Sequence, residues 1–158
     1  MARVEKSIDV NVPVRTAYDQ WTQFEEFPRF MDAVESVKQL DDTHLRWVAK
    51  VAGRRKEWVA EITEQTPDER VAWTSTSGAR NAGVVTFHHI DSGKTGVMLQ
   101  LEAEPEGVVE AAGSALGVLD REVEGDLERF KEFIESRRHE TGAWRGEVHR
   151  DDVEGSRR

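Results

Sequence analysis

Between residues 3 and 12 apolar and polar side chains alternate. Val4, Ile8, Val10 and Val12 fall on one side, and Arg3, Glu5, Ser7, Asp9 and Asn11 on the other. A period of two predicts a half-buried β-strand. Pro13 then suits a first helical position, and Val14, Ala17, Tyr18 and Trp21 give a short helix one apolar face. Phe24, Phe27, Pro28, Phe30 and Met31 follow, with Pro28 ending the first helix and starting a second, shorter one. From there the period of two returns, near 34–40, 44–52, 56–66, 70–77, 82–90 and 95–104. Turn signals at Asp41-Asp42, Gly53, Pro67-Asp68, Gly78 and Ser92-Gly93 separate these segments. Connections this short predict an antiparallel meander.

The period changes once more after Pro105 and Gly107. Over 108–138, Val109, Ala112, Leu116, Leu119, Val123, Leu127, Phe130 and Ile134 recur at steps of three and four, the spacing of one helix face. Glu122, Asp126, Arg129, Lys131, Glu132 and Glu135 read as the opposite, solvated side. Such a helix would be roughly 45 Å long. Its first half, Ala111-Ala112-Gly113-Ser114-Ala115-Leu116-Gly117, is poor in large side chains. The order of elements predicts an α+β fold: a bent antiparallel sheet of about seven strands wrapped around the long C-terminal helix, with two short helices after the first strand. That shape encloses a cavity. After His139 the apolar period stops, and 140–158 is polar apart from Ala143, Trp144, Val148 and Val153. One domain over 1–139 is therefore expected, followed by a disordered polar tail whose few apolar groups cannot offset the entropy of ordering it.

Charge and composition narrow the partners. A formal net charge of -9 and a pI near 5.1 leave no basic face for phosphates, so nucleic acid and acidic membrane surfaces are not expected to bind. The absence of cysteine removes disulfides, thiolate metal sites and thiol nucleophiles together. No apolar run reaches the ~18–20 residues of a membrane span, and the chain enters its first strand without a basic and then apolar leader. A cytoplasmic protein, monomeric or homodimeric, is the expectation.

One register of the strands collects Trp47, Trp58 and Trp73 on three successive strands, with Ser75, Val85, Phe87 and Leu99 further along. Phe27, Phe30 and Met31 would close one end of the space under them, and Ala112 and Leu116 the helix side. These twelve residues are the expected lining of an apolar ligand cavity; the same rings serve equally well as a filled core. Inward polar groups are few: Ser75, Ser77, Tyr18 and one of the neighbours His88 and His89, which face opposite sides of a strand. Arg46, Arg54, Arg55 and Arg80 fall on the outward register or in turns. His139, His149, Asp151 and Asp152 match no metal-ligand spacing, so neither a metal nor a cofactor is expected.

Several stretches together resemble the START-like superfamily, also called SRPBCC, in its bacterial polyketide cyclase/dehydrase and coenzyme Q-binding branch. They are Val12-Pro13 into Ala17-Tyr18, Trp21 to Met31, Arg46-Trp47-Val48, Glu57-Trp58, Ala60-Glu61-Ile62-Thr63, Pro67-Asp68-Glu69-Arg70 into Ala72-Trp73, and Gly83 to Phe87. The resemblance spans residues 3 to about 138 and implies a helix-grip fold. Two functions follow as expectations. The first is binding or transport of a hydrophobic small molecule such as a lipid, quinone or polyketide between sheet and helix; the second is a polyketide aromatase/cyclase-type enzyme, whose chemistry needs positioned donors and an acid/base group. An interaction module with a filled core is the third possibility.

Overall fold

The structure, a computed structural model, describes residues 2–51, 53–103 and 112–149, with side chains from Arg3 to Lys50, from Gly53 to Ala103 and from Leu119 to His149. Strand β1 (Ala2–Val10) leads into helix α1 (Val14–Trp21) and a short 3-10 helix (Phe24–Arg29). Six strands follow: β2 (Val34–Gln39), β3 (His44–Val51), β4 (Arg54–Thr66), β5 (Arg70–Gly78), β6 (Asn81–Asp91) and β7 (Lys94–Ala103). Helix α2 covers Ala112–Arg137; the part of the expected helix at 108–111 lies outside the described residues.

All seven strands are antiparallel, in the order β1-β7-β6-β5-β4-β3-β2. Chain order is kept from β2 to β7, and β1 closes the far edge on β7. Cross-strand register sets the inner face in rows. Trp47 stands opposite Trp58, Ala60 opposite Ser75, and Ile62, Trp73, Gly83, Leu101 and Val4 form one row across five strands. Register shifts at Val34/Ser36, Val59/Ala60 and Ile62/Glu64 bend the strands that carry them, because an extra residue on one side of a ladder kinks and twists it. The last shift has a side-chain consequence: it brings Gln65 opposite Val71, where both are buried.

The sheet curls around α2, which buries Val123, Leu127, Phe130 and Ile134 against it. Phe130 meets Trp21 and Phe30 with ring centroids 5.3 and 5.2 Å apart. One flank of α2 is tied to β1. Lys6, which shares the inner register with Val4 and Ile8, reaches Asp120 at 3.1 Å and Glu124 at 3.5 Å, and Lys131 Nζ donates to the Asp9 carbonyl at 2.9 Å. The charge at position 6 thus breaks the apolar alternation of β1 to anchor the helix.

Residues 140–149 depart from expectation. Instead of starting a disordered tail, they cross back over α1. Arg138 adopts a positive φ of 65° and turns the chain at the end of α2. Thr141 N–H donates to Gln20 Oε1 at 2.9 Å and Gln20 Nε2 donates to Thr141 Oγ1 at 3.0 Å. Trp144 N–H donates to Thr22 Oγ1, and Val148, 5% exposed, exchanges two backbone bonds with Gln65 at 2.7 and 2.9 Å. The anchors are polar groups far away in sequence, so apolar content alone underrated the segment. Residues 150–158 lie outside the described residues.

Candidate functional site

Rings form a continuous chain on the inner face. Trp21 packs edge-on against Phe27 at 5.1 Å, Phe27 meets Trp47 at 5.6 Å, and Trp47 stacks on Trp58 at 5.7 Å with only 10° between their planes. The antiparallel pairing of β3 and β4 makes this stack, because Trp47 and Trp58 are direct cross-strand partners. Phe30 joins from the other side, 5.6 Å from Phe27, and Met31 is buried beside it in sequence. The 3-10 helix positions these rings: Phe24 and Phe27 are both buried, and Pro28 sits within the turn. Val85, Phe87 and Leu99 are buried further along the face, with Tyr18 edge-on to Phe87 at 5.5 Å. Trp73 is half-buried and lies across its register partner Gly83, where any Cβ would run into the indole.

Ten of the twelve expected lining residues thus have described side chains, and Phe27, Phe30, Trp47 and Trp58 are joined by direct ring contacts. Ala112 and Leu116 lie on the part of α2 whose side chains are outside the described residues. Ser75 is committed elsewhere, since its Oγ accepts from Asn81 N–H at 3.0 Å in the β5–β6 turn. His88 and His89 are both exposed, so neither reaches the interior; the bulge at His89/Asp91 takes the end of β6 out of strict alternation. A shallow cleft of about 210 Å³ opens instead on the outer register, between Arg3, Ala82, Val84, Gln100 and Glu102, beside Trp73 and Gly83.

Buried polar atoms without a hydrogen-bond partner concentrate inside. They include the indole N–H groups of Trp21, Trp47 and Trp58; the Tyr18 hydroxyl and the Gln65 amide are buried within reach of one another. Folded proteins leave few such atoms, because each one forfeits its bonds to water. Burial also pushes the Tyr18 phenol up to about 12.

The other flank of α2 carries a carboxyl that sequence reading placed on the solvated side. Asp126 lies three residues after Val123 and four before Phe130, next to the apolar stripe, and its side chain is only 16% exposed. Burial pushes it up to about 7, although Arg129 Nη2 donates to it at 2.7 Å; Glu122 and Asp32 add to the rise. Arg129 also donates through Nε to the Phe30 carbonyl at 3.0 Å and pairs with Asp32 at 3.3 Å, so this flank faces the segment carrying Phe30 and Met31. A carboxyl raised toward neutrality by burial and held by Arg129 on this flank of α2 is suited to proton exchange near physiological pH. The stripe geometry could have revealed Asp126; nothing in the pattern announces Gln65, which depends on the bulge.

Among the described residues, no helix is long and apolar enough to cross a membrane, and no three His, Asp or Glu side chains gather as a metal site. The family described as polyketide cyclase/dehydrase and lipid transport matches residues 10–132 of the chain. A Streptomyces lincolnensis protein of 17.2 kDa, described by its place between melC2 and rnhH, is 58% identical over 149 residues, which are 94% of this chain and 99% of that one. Among solved structures, the ZhuI aromatase/cyclase of Streptomyces sp. R1128 superposes with a TM-score of 0.71 at 16% identity, covering 90% of this chain and 98% of its own. A START superfamily protein of Mycobacterium smegmatis does so with a TM-score of 0.63, also at 16% identity, over 80% and 97%. At that identity both show a common fold.

Proposed function

Because the chain belongs to the polyketide cyclase/dehydrase and lipid transport family, with the START-like helix-grip fold, we propose that it binds and carries a hydrophobic small molecule between the sheet and α2. The observation that carries this reading is the ring chain Phe27–Trp47–Trp58 on the inner face, where Val85, Phe87 and Leu99 are buried as well. Apolar walls with a few polar atoms suit a ligand of low polarity, whose burial contributes roughly 25 cal/mol per Å². Met31 and Trp73 extend the proposed lining at its two ends. Ala112 and Leu116 remain part of it as the helix side.

Nile red, a neutral dye that brightens in apolar surroundings, tests the reading. Saturable binding with energy transfer from tryptophan is the expected result. Dye emission that never saturates, with unchanged tryptophan emission, contradicts it.

One feature favours the second reading, an aromatase/cyclase-type enzyme: the Asp126 carboxyl is 16% exposed, bonded by Arg129 at 2.7 Å and pushed up by burial. Cyclisation of a poly-ketone moves protons between carbon and oxygen, and a group of that acidity does so with least penalty at neutral pH. Under this reading turnover of a poly-ketone substrate disappears in Asp126→Asn while dye binding persists.

A further inference from the structure

Cations gather on the outer face of the β2–β4 corner in an arrangement that costs the sheet stability. Lys38 stands directly opposite Arg46 and Lys50 directly opposite Arg55, and all four side chains are exposed. Like charges facing each other across two strands destabilise the pairing. The chain has 31 acidic residues against 22 Lys and Arg, so two cation–cation pairs on one face run against its own composition. Glu57 answers Arg46 at 3.2 Å and Glu35 answers Arg55 at 3.4 Å, whereas Lys38 and Lys50 meet no carboxylate among the described residues. Helix α2 shows the reverse charge. Glu124, Glu128 and Glu132 follow at steps of four along an exposed ridge, a spacing at which like charges repel. Lys6 reaches Glu124 at 3.5 Å, while Glu128 and Glu132 have no cation partner among the described residues.

The two self-repelling surfaces have opposite sign and matching dimensions. From Glu124 to Glu132 the helix rises about 12 Å, and from Arg46 to Lys50 strand β3 advances about 13 Å. From this complementarity we infer that a second copy of the chain lays the Glu124, Glu128 and Glu132 ridge of its α2 along the face made by Lys38, Arg46, Lys50 and Arg55. Unlike surfaces meet head to tail, so the contact generates a ring or an open chain instead of closing on a two-fold axis. A solvated helix ridge needs no partner by itself; the opposed cations on the sheet are what call for one. The net charge of -9 opposes association at long range. In about 0.1 M salt the screening length is about 10 Å, so the facing patches decide the outcome. Each exposed pair contributes at most about fivefold to affinity, which makes the contact weak and reversible. Both surfaces lie outside the space between sheet and helix, so the contact is independent of what the protein carries.

Sedimentation velocity of the full chain, in about 0.1 M salt and at up to about 1 mM protein, should show a sedimentation coefficient that rises with concentration. About 0.5 M salt should abolish the rise. Charge reversal separates this role from a structural one. Lys38→Glu/Lys50→Glu sets carboxylates opposite Arg46 and Arg55, and Glu128→Lys/Glu132→Lys sets a cation one turn after Glu124, so each should keep or raise the melting temperature. Each variant alone should self-associate roughly tenfold more weakly than the parent, or less. An equimolar mixture of the two should recover association, because the acidic ridge of the sheet variant again meets the basic face of the helix variant. A wild type that stays monomeric throughout, association that survives either reversal, or a mixture that fails to recover it overturns the inference. Vesicles of phosphatidylcholine with about one-third phosphatidylglycerol test the competing occupant. A monomeric wild type that sediments with them, and a Lys38→Glu/Lys50→Glu variant that does not, overturns the second copy in favour of a lipid surface.

Discussion

Two ends of the inner face handle buried polar atoms differently. At the α1 end, partners come from far along the chain. Asp19, 1% exposed, receives Arg145 at 2.5 Å from 126 positions away; Arg145 continues to Asp68 at 2.9 Å and lies 5.6 Å over the Tyr18 ring. Gln20 is closed by Thr141, and Thr22 Oγ1 donates to the Asp19 carbonyl while accepting from Trp144. The Trp21 N–H and Asp68 Oδ1 are exceptions at this end, while Tyr18 Oη and the Gln65 amide lie within reach of one another. At the Trp47–Trp58 end the described residues supply rings and no acceptor for either indole N–H. Satisfied groups hold a structure together, and unsatisfied ones mark where something else can be recognised. Stability should therefore reside in the first end and selectivity in the second.

Removing 140–158 tests that division most severely. It takes away Val148, Trp144 and the partner of a buried carboxylate, and breaking one buried pair alone typically costs about 3–5 kcal/mol. A fall in melting temperature of more than about 10 °C is expected for a chain of this size; a shift of only a few degrees would show that the strap is decorative. Arg145→Ala, read by urea denaturation, should account for roughly 2–3 kcal/mol of the loss by leaving Asp19 with only the distant Arg15 at 3.8 Å.

Asp126 offers a test by pH. Its folded pKa lies above the ordinary 3.8, so the native state holds the proton more tightly than the unfolded chain. The stabilisation is full at low pH and is lost as pH rises from about 4 to about 7. Asp126→Asn should flatten that decline and leave the protein about 1–3 kcal/mol more stable than the parent at pH 8, relative to their difference at pH 4. Parallel melting profiles for the two proteins would refute it. Burial of Asp19 likewise raises its carboxyl, with Arg145 opposing and Glu140 adding to the rise, so Arg145→Ala should steepen any loss of stability with rising pH.

The smallest effect is expected at the other end. Trp58→Phe keeps a ring in the row and removes an unpaired donor, so stability should change by less than about 1 kcal/mol. A larger loss would mean that Trp58 is a structural bolt like Phe130, whose truncation to alanine costs about 3–5 kcal/mol.

Most of the architecture was legible because seven strands and two helices keep their periods in the sequence. Strand pairing and the stack of Trp47 on Trp58 follow from alternation and short turns. Three features escaped for separate physical reasons. Lys6 sits in an apolar row because its charge is met by α2, a contact no local pattern contains. Gln65 turns inward after a bulge that shifts the register by one residue. The strap at 140–149 is fastened by polar groups more than a hundred positions away, so its low hydrophobicity misled. Asp126 differs from these, since helical spacing already set it beside Val123 and Phe130.

The central claim is that an apolar molecule occupies the space between the sheet and α2. Native mass spectrometry of the full chain purified from its own source tests it most directly. The account predicts a second charge-state series heavier than the bare chain by one small molecule, lost under denaturing conditions and regained when Nile red is added to stripped protein. Bare chain alone, both as isolated and after exposure to Nile red, would contradict it.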